Sequence, residues 1–268
     1  MELLPYTFKW VEVLLRWGHV LFAILWVGNS FLFNYLDNQL EKNMTSKGVD
    51  ADGILQHSGW FYRVERLNAA PEKFSKNLII FKWQSYLTFI TGILLLIIIY
   101  YANAKILMID NRINESITPL MAIGISIISI IGSWLVYDLI CKSKLVNSKI
   151  IFPVFLLIIG GVISFGMTKV FGPRFAFLSV GVILGSIMFF NVFFVIVPNG
   201  KNITSSALKK KDFDVDLSNR AKTRSVHNNI ITFLVLFIML SGHASFIWAS
   251  QYNWIILILL AVILGFVR

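Results

Sequence analysis

Four histidines are the side chains here best suited to hold a metal or move a proton: His19, His57, His227 and His243. A neutral imidazole carries one donor nitrogen and one acceptor nitrogen, and it is a common metal ligand. His227 and His243 bracket an uncharged run, HNNIITFLVLFIMLSGH. Sixteen residues of helix separate them by roughly 24 Å, so one continuous helix cannot bring both to the same centre. Around the first of the pair sit Arg220, Arg224, Asn228 and Asn229. Guanidinium groups offer charge and paired donors, and amides offer both donors and acceptors. That set could hold a planar anion. It could equally be the basic start of a helix gripping lipid phosphates, and composition does not separate the two.

The elements that must position these residues are membrane helices. Of 268 residues, 57% are hydrophobic and 14% charged, and the mean hydropathy is +0.73. A water-soluble domain could not hide so much apolar surface. The apolar runs have about the 20-residue length that a bilayer-crossing helix needs. Seven spans are expected, near 11–36, 83–104, 118–140, 150–170, 174–198, 226–248 and 253–267. Backbone groups in lipid must be satisfied within the segment, so the predicted fold is all-α, a polytopic helix bundle forming one integral-membrane domain over 1–268. The first span lacks the flanks of a cleaved signal and reads as a retained helix.

Charge sets the orientation. The segments 37–82, 141–149 and 199–225, with Arg268, carry eighteen of the 24 Lys and Arg residues. Positive loops stay inside, which makes 37–82 and 199–225 the long cytoplasmic segments and places the N-terminus outside. The net charge of +10 therefore reflects basic cytoplasmic loops, not nucleic-acid binding. Within 37–82, QHSGWFYRVERL (56–67) interleaves aromatics with Arg63 and Arg66 and is expected to be an interfacial helix. KKKDFDVD (209–216) reads as a solvated connector.

This topology sorts the histidines into an outer pair, His19 with His243, and an inner pair, His57 with His227. Imidazole is a good axial ligand for haem iron, and facing helices are a usual place to hold a cofactor. One or two haems b are expected, with the outer pair the stronger candidate. The inner pair could instead belong to a substrate site. The lone Cys141 excludes an internal disulfide, and the chain has no CxxCH for covalent haem c. Glu12, Arg16 and His19 fall on neighbouring turns of one helix face. Asn29, Asn34 and Asn191 read as helix–helix hydrogen bonds, and Asp138 and Lys169 as side chains reaching the interface. Gly160-Gly161 and Gly181-x-x-x-Gly185 fit close helix packing. There is no Walker motif, HExxH or GxSxG elbow.

Several stretches together carry a resemblance: LLRWGHVLFAILWVGNSFLFNYLDN (14–38), HSGWFYRVE (57–65), FKWQSYLTFITG (81–92), NVFFVIVPN (191–199) and AKTRSVHNN with MLSGH (221–243). In this order, over nearly the whole chain, they resemble the membrane domain of the bacterial membrane-bound urate oxidases. The resemblance implies a domain of about eight helices in the bacterial plasma membrane, with this chain ending before the last. It implies an oxidoreductase of purine catabolism that converts urate to 5-hydroxyisourate. Electrons would pass through haem to a periplasmic c-type cytochrome, a domain this chain lacks. All four histidines lie on matching motifs. Candidate substrate contacts are Arg220, Arg224, His227, Asn228 and Asn229, with Trp83 and Tyr86 as aromatic walls beside Trp60, Phe61 and Tyr62. Aromatic belting at the membrane interface explains those rings equally well.

Two other functions fit the same composition. A haem-bearing electron-transfer subunit would need no substrate site of its own. An anion transporter would carry midplane charge, broken helices and often inverted repeats; here the charge is concentrated at the span boundaries and no repeat is visible, which ranks it third.

Overall fold

The computed structural model describes residues 3–42, 48–67, 79–209 and 214–267. Helix α1 runs from Leu3 to Gln39, followed by strands β1 (Glu41–Lys42), β2 (Val49–His57) and β3 (Trp60–Leu67). Then come α2 (Trp83–Leu95), α3 (Ala104–Leu107), α4 (Pro119–Lys142), α5 (Ile151–Val170) and α6 (Pro173–Asn191). The chain ends with α7 (Val197–Leu208), α8 (Val215–Leu240), α9 (Ser245–Trp248) and α10 (Asn253–Val267). Two π-turns extend this path, Leu96–Tyr101 after α2 and Val192–Ile196 joining α6 to α7. Pro198, which has no N–H to donate, follows the second π-turn.

Among the described residues, six helical stretches are long and apolar enough to cross a membrane: 6–39, 83–101, 119–142, 151–170, 173–208 and 215–243. The seventh expected span is a shorter apolar helix, 253–265. Large apolar side chains stay exposed along most of these helices, among them Ile24, Leu120, Leu139 and Val162. In water such a surface would aggregate, and in lipid it is the solvated face.

Helix α6 is the hub. It packs against α2, α4, α5 and α8, while α1 lies mainly along α2. The core gathers on α6 through Phe175, Phe177, Val180, Ile183 and Ile187, with Met108, Phe171 and Ile238 fully enclosed. Small residues let the backbones approach. An added Cβ at Gly161 would stand 2.9 Å from Ile258 Cδ1, and at Gly181 2.6 Å from Ile238 Cγ2. The expected close packing at these glycines is thus present, although Gly160 faces open space.

The 37–82 segment departs from expectation. Residues 56–67 form no interfacial helix; β2 and β3 pair as an antiparallel hairpin and β1 adds a short third strand. Ser58 and Gly59 form the two-residue turn, with φ of +51° and +84°. A turn with two positive φ values matches the twist of the strands that flank it, and glycine tolerates the second position without strain. Cross-strand charge pairs Arg63–Asp52 at 3.1 Å and Arg66–Asp50 at 2.6 Å fit the strand register better than a helix face. The connector at 209–216 is partly outside the described residues. Its last part is a cap: Asp214 Oδ1 accepts from Asp216 and Leu217 N–H at the start of α8.

Gly181→Ala should destabilise the bundle by about 1–3 kcal/mol, because Ile238 is enclosed and its branched Cβ cannot swing away. Thermal unfolding in detergent reads this as a lowered midpoint. An unchanged midpoint would show that α6 and α8 do not meet this closely.

Candidate functional site

Helix α8 carries the polar run, and its periodicity turns Arg224 and Asn228 inward on the same face, one turn apart. Arg220, one turn earlier, stays exposed. Arg224 Nη2 donates to Asp138 Oδ1 at 2.6 Å, and both side chains are under 10% exposed. Lys142, one turn along α4 and largely exposed, reaches the other carboxylate oxygen at 2.6 Å. Asp138 was expected at the interface and is instead buried between two cations. A carboxylate one turn inside α4 has no water to stabilise it, so it takes both the guanidinium and the ammonium.

The network continues through α6. Arg224 Nη1 donates to Asn191 Oδ1 at 3.3 Å. Asn191 Nδ2 then donates to Asn228 Oδ1 at 2.9 Å and to Tyr137 Oη at 3.2 Å. Asn228 Nδ2 donates to the Met188 carbonyl at 2.9 Å. The Arg224 guanidinium also lies 4.9 Å from the centre of the Tyr137 ring, a cation–π contact. Tyr137 Oη stands 2.8 Å from His227 Nδ1, and the imidazole stacks on Phe152 at 4.9 Å. Asn229 turns to α1, where its Nδ2 donates to Ser30 Oγ at 3.2 Å. Asn191 therefore does bridge helices, as its position in a membrane run suggests.

His227 also lines an open recess of about 360 Å³ on α8, with Asn219, Lys222, Thr223 and Val226. Lys222 Nζ lies 3.4 Å from Asp37 at the end of α1.

His19 turns away from the pair Glu12–Arg16, which closes on itself at 2.8 Å on the exposed side of α1. Its Nδ1 is 2.9 Å from the Thr88 carbonyl and 3.1 Å from Thr91 Oγ1, both on α2. A carbonyl only accepts, so Nδ1 carries the proton. Thr91 Oγ1 donates to the Leu87 carbonyl at 2.6 Å, which leaves it to accept from the same N–H. Nε2 then keeps its lone pair. Gly92 makes the approach possible, since a Cβ there would come within 2.9 Å of His19 Cε1.

The remaining candidates stand apart. His57 is exposed beside the hairpin turn and opposite Trp60, and the groups around His227 are Tyr137, Cys141 and Phe152. His243 is exposed on a 3-10 turn after α8. Trp83 and Tyr86 form an edge-to-face pair at 5.8 Å, and Tyr86 packs on Phe189 and Phe193. The hub and the π-turn that follows it thus give Phe189 and Phe193 to the aromatic pair, and the hub gives Met188 and Asn191 to the α8 network. Trp60 and Phe61 are exposed on the hairpin, with Tyr62 beside them.

The model of the urate oxidase N-terminal family matches residues 5–268. The chain belongs to that family. No curated protein and no solved structure matches it. Within this urate oxidase N-terminal domain the motif RSVHNN supplies Arg224, His227, Asn228 and Asn229, and FKWQSYLTFITG supplies Thr88, Thr91 and Gly92 around His19. Tyr137 and Asp138 lie outside those motifs. Their signal was a single acid inside the apolar run 119–140.

Asp138→Ala would leave the Arg224 guanidinium buried and uncompensated, a loss of about 3–5 kcal/mol. Asp138→Leu with Arg224→Met removes both charges and should recover most of that loss. Thermal unfolding of the three proteins checks it, and a single variant as stable as the parent would contradict the pairing.

Proposed function

We propose that this domain is the membrane part of an enzyme that oxidises urate to 5-hydroxyisourate. The overall change is urate plus water to 5-hydroxyisourate, two protons and two electrons. The electrons leave outward to a c-type cytochrome. The observation that carries this reading is the family match over nearly the whole chain. The basic loops support a bacterial plasma membrane orientation with the recess at the cytoplasmic end of α8 and the N-terminus in the periplasm.

Haem b bound in this domain would supply one-electron transfer from the substrate side to the cytochrome. His19 would hold the haem iron by its donor chemistry. Metal-ligating histidines usually donate the second ring N–H to a carbonyl or carboxylate, and Nδ1–H on the Thr88 carbonyl does this. His243, at the outer end of α8, is the partner proposed for it.

On the cytoplasmic side, Lys222 and the exposed Arg220 supply positive charge for an anionic purine, and His227 and Asn219 supply polar contacts at the recess. Arg224, Asn228 and Asn229 are engaged inside the bundle, so their part is to hold α8 in place. The engagement of Arg224 by Asp138 also favours a second reading, a haem-bearing electron-transfer subunit without a substrate site.

Membranes containing the chain, supplied with urate and an oxidised c-type cytochrome, should reduce two cytochromes per urate consumed. His19→Ala should abolish that reduction and the b-type absorbance together. Urate that persists in membranes whose haem is intact would overturn the enzymatic reading and leave the electron-transfer one.

A further inference from the structure

The network around Arg224 has a direction, and the direction reaches His227. A guanidinium can only donate, so the oxygen of Asn191 faces Arg224 Nη1 at 3.3 Å. The amide orientation is then settled: Asn191 Nδ2 must donate, to Asn228 Oδ1 and to Tyr137 Oη. The reverse flip would set an NH2 against the guanidinium. The Asn228 amide follows the same sense, because its Nδ2 meets the Met188 carbonyl, which only accepts. Tyr137 Oη thus receives a hydrogen bond from one side. Its own O–H meets His227 Nδ1 at 2.8 Å, a far better acceptor than the Cys141 sulfur that Tyr137 also meets. Cys141 Sγ, 3.9 Å from the same nitrogen, is both a weak donor and a weak acceptor, so the direction is set by Tyr137.

We infer that the buried chain Arg224–Asn191–Tyr137 holds His227 with Nδ1 as acceptor and Nε2–H as donor, and that this N–H serves a planar anionic heterocycle in the α8 recess. Nε2 has no hydrogen-bond partner among the described residues, and His227 lines that recess. The nitrogen a metal would need is therefore protonated. His227 is a substrate donor, and His19, locked in the opposite tautomer by the Thr88 carbonyl, is the ligand-type histidine. Phe152, stacked on the imidazole at 4.9 Å and 24°, keeps the ring from turning over. Tyr137 is a positioning residue. The inference rests on the urate reading only for the identity of the anion.

The test uses the full chain in detergent or nanodiscs with 15N-labelled histidine, its four signals assigned by single His→Gln variants. His227 should show a pyridine-like Nδ1 and a protonated Nε2. Tyr137→Phe should shift that signal toward a tautomer mixture. Urate binding should weaken by about tenfold to a hundredfold in His227→Phe and less in His227→Gln, whose amide can still donate. Haem absorbance should be unchanged in both. A protonated Nδ1, or haem lost with His227→Gln, would overturn the assignment while urate still binds. A wild-type chain that shows the expected tautomer and binds no urate would instead remove the urate reading, and with it the proposed ligand.

Discussion

The contact between Arg224 and Asp138 is the constraint on which this end of the bundle depends. Two opposite charges stand 2.6 Å apart with both side chains buried, and removing either leaves the other uncompensated. Because the guanidinium is a pure donor, the pair also orders everything bonded to it. It fixes the amide of Asn191, which fixes Tyr137, which addresses His227. It ties α4 to α8 directly and to α6 through one asparagine. A buried ion pair is weak evidence for stability in itself. Its effect here is registry: it sets which face of α8 turns inward and which presents Lys222 and His227 to the recess.

The same logic operates with different groups at His19. There a backbone carbonyl on α2 takes the Nδ1 proton, and the absence of a side chain at Gly92 lets the imidazole lie against that helix. Two histidines of equal sequence prominence thus receive opposite tautomers from their neighbours. One keeps a lone pair on Nε2 and the other a proton. Under the proposed function, the first suits an iron ligand and the second a substrate donor.

Much of the architecture was legible in the sequence, because lipid leaves little choice. Apolar runs near 20 residues must be helices, and among the described residues six of the seven expected spans are long enough to cross. The segment 56–67 was misread. Its mixture of aromatics and arginines suits an interfacial helix by composition, whereas Ser58-Gly59 and the alternation of β3 specify a hairpin. Asp138 was underrated for a different reason. Nearness to a span end suggests snorkelling, but an aspartate side chain is too short to reach water from a buried helix face. Asn191 and the glycines at 161 and 181 were read correctly, since polar and small residues inside membrane runs have few other uses. The hydrogen-bond directions could not be read from sequence at all. They arise from groups more than thirty residues apart, brought together only by packing.

The proposed function requires that urate give electrons to this domain. The direct measurement is an absorption spectrum of the purified chain, oxidised and anaerobic, as urate is added, with dithionite as the reduction endpoint. The b-type bands should grow with urate toward that endpoint. Haem that responds only to dithionite, or well-folded protein without haem after haem-supplemented expression, would contradict the proposed function.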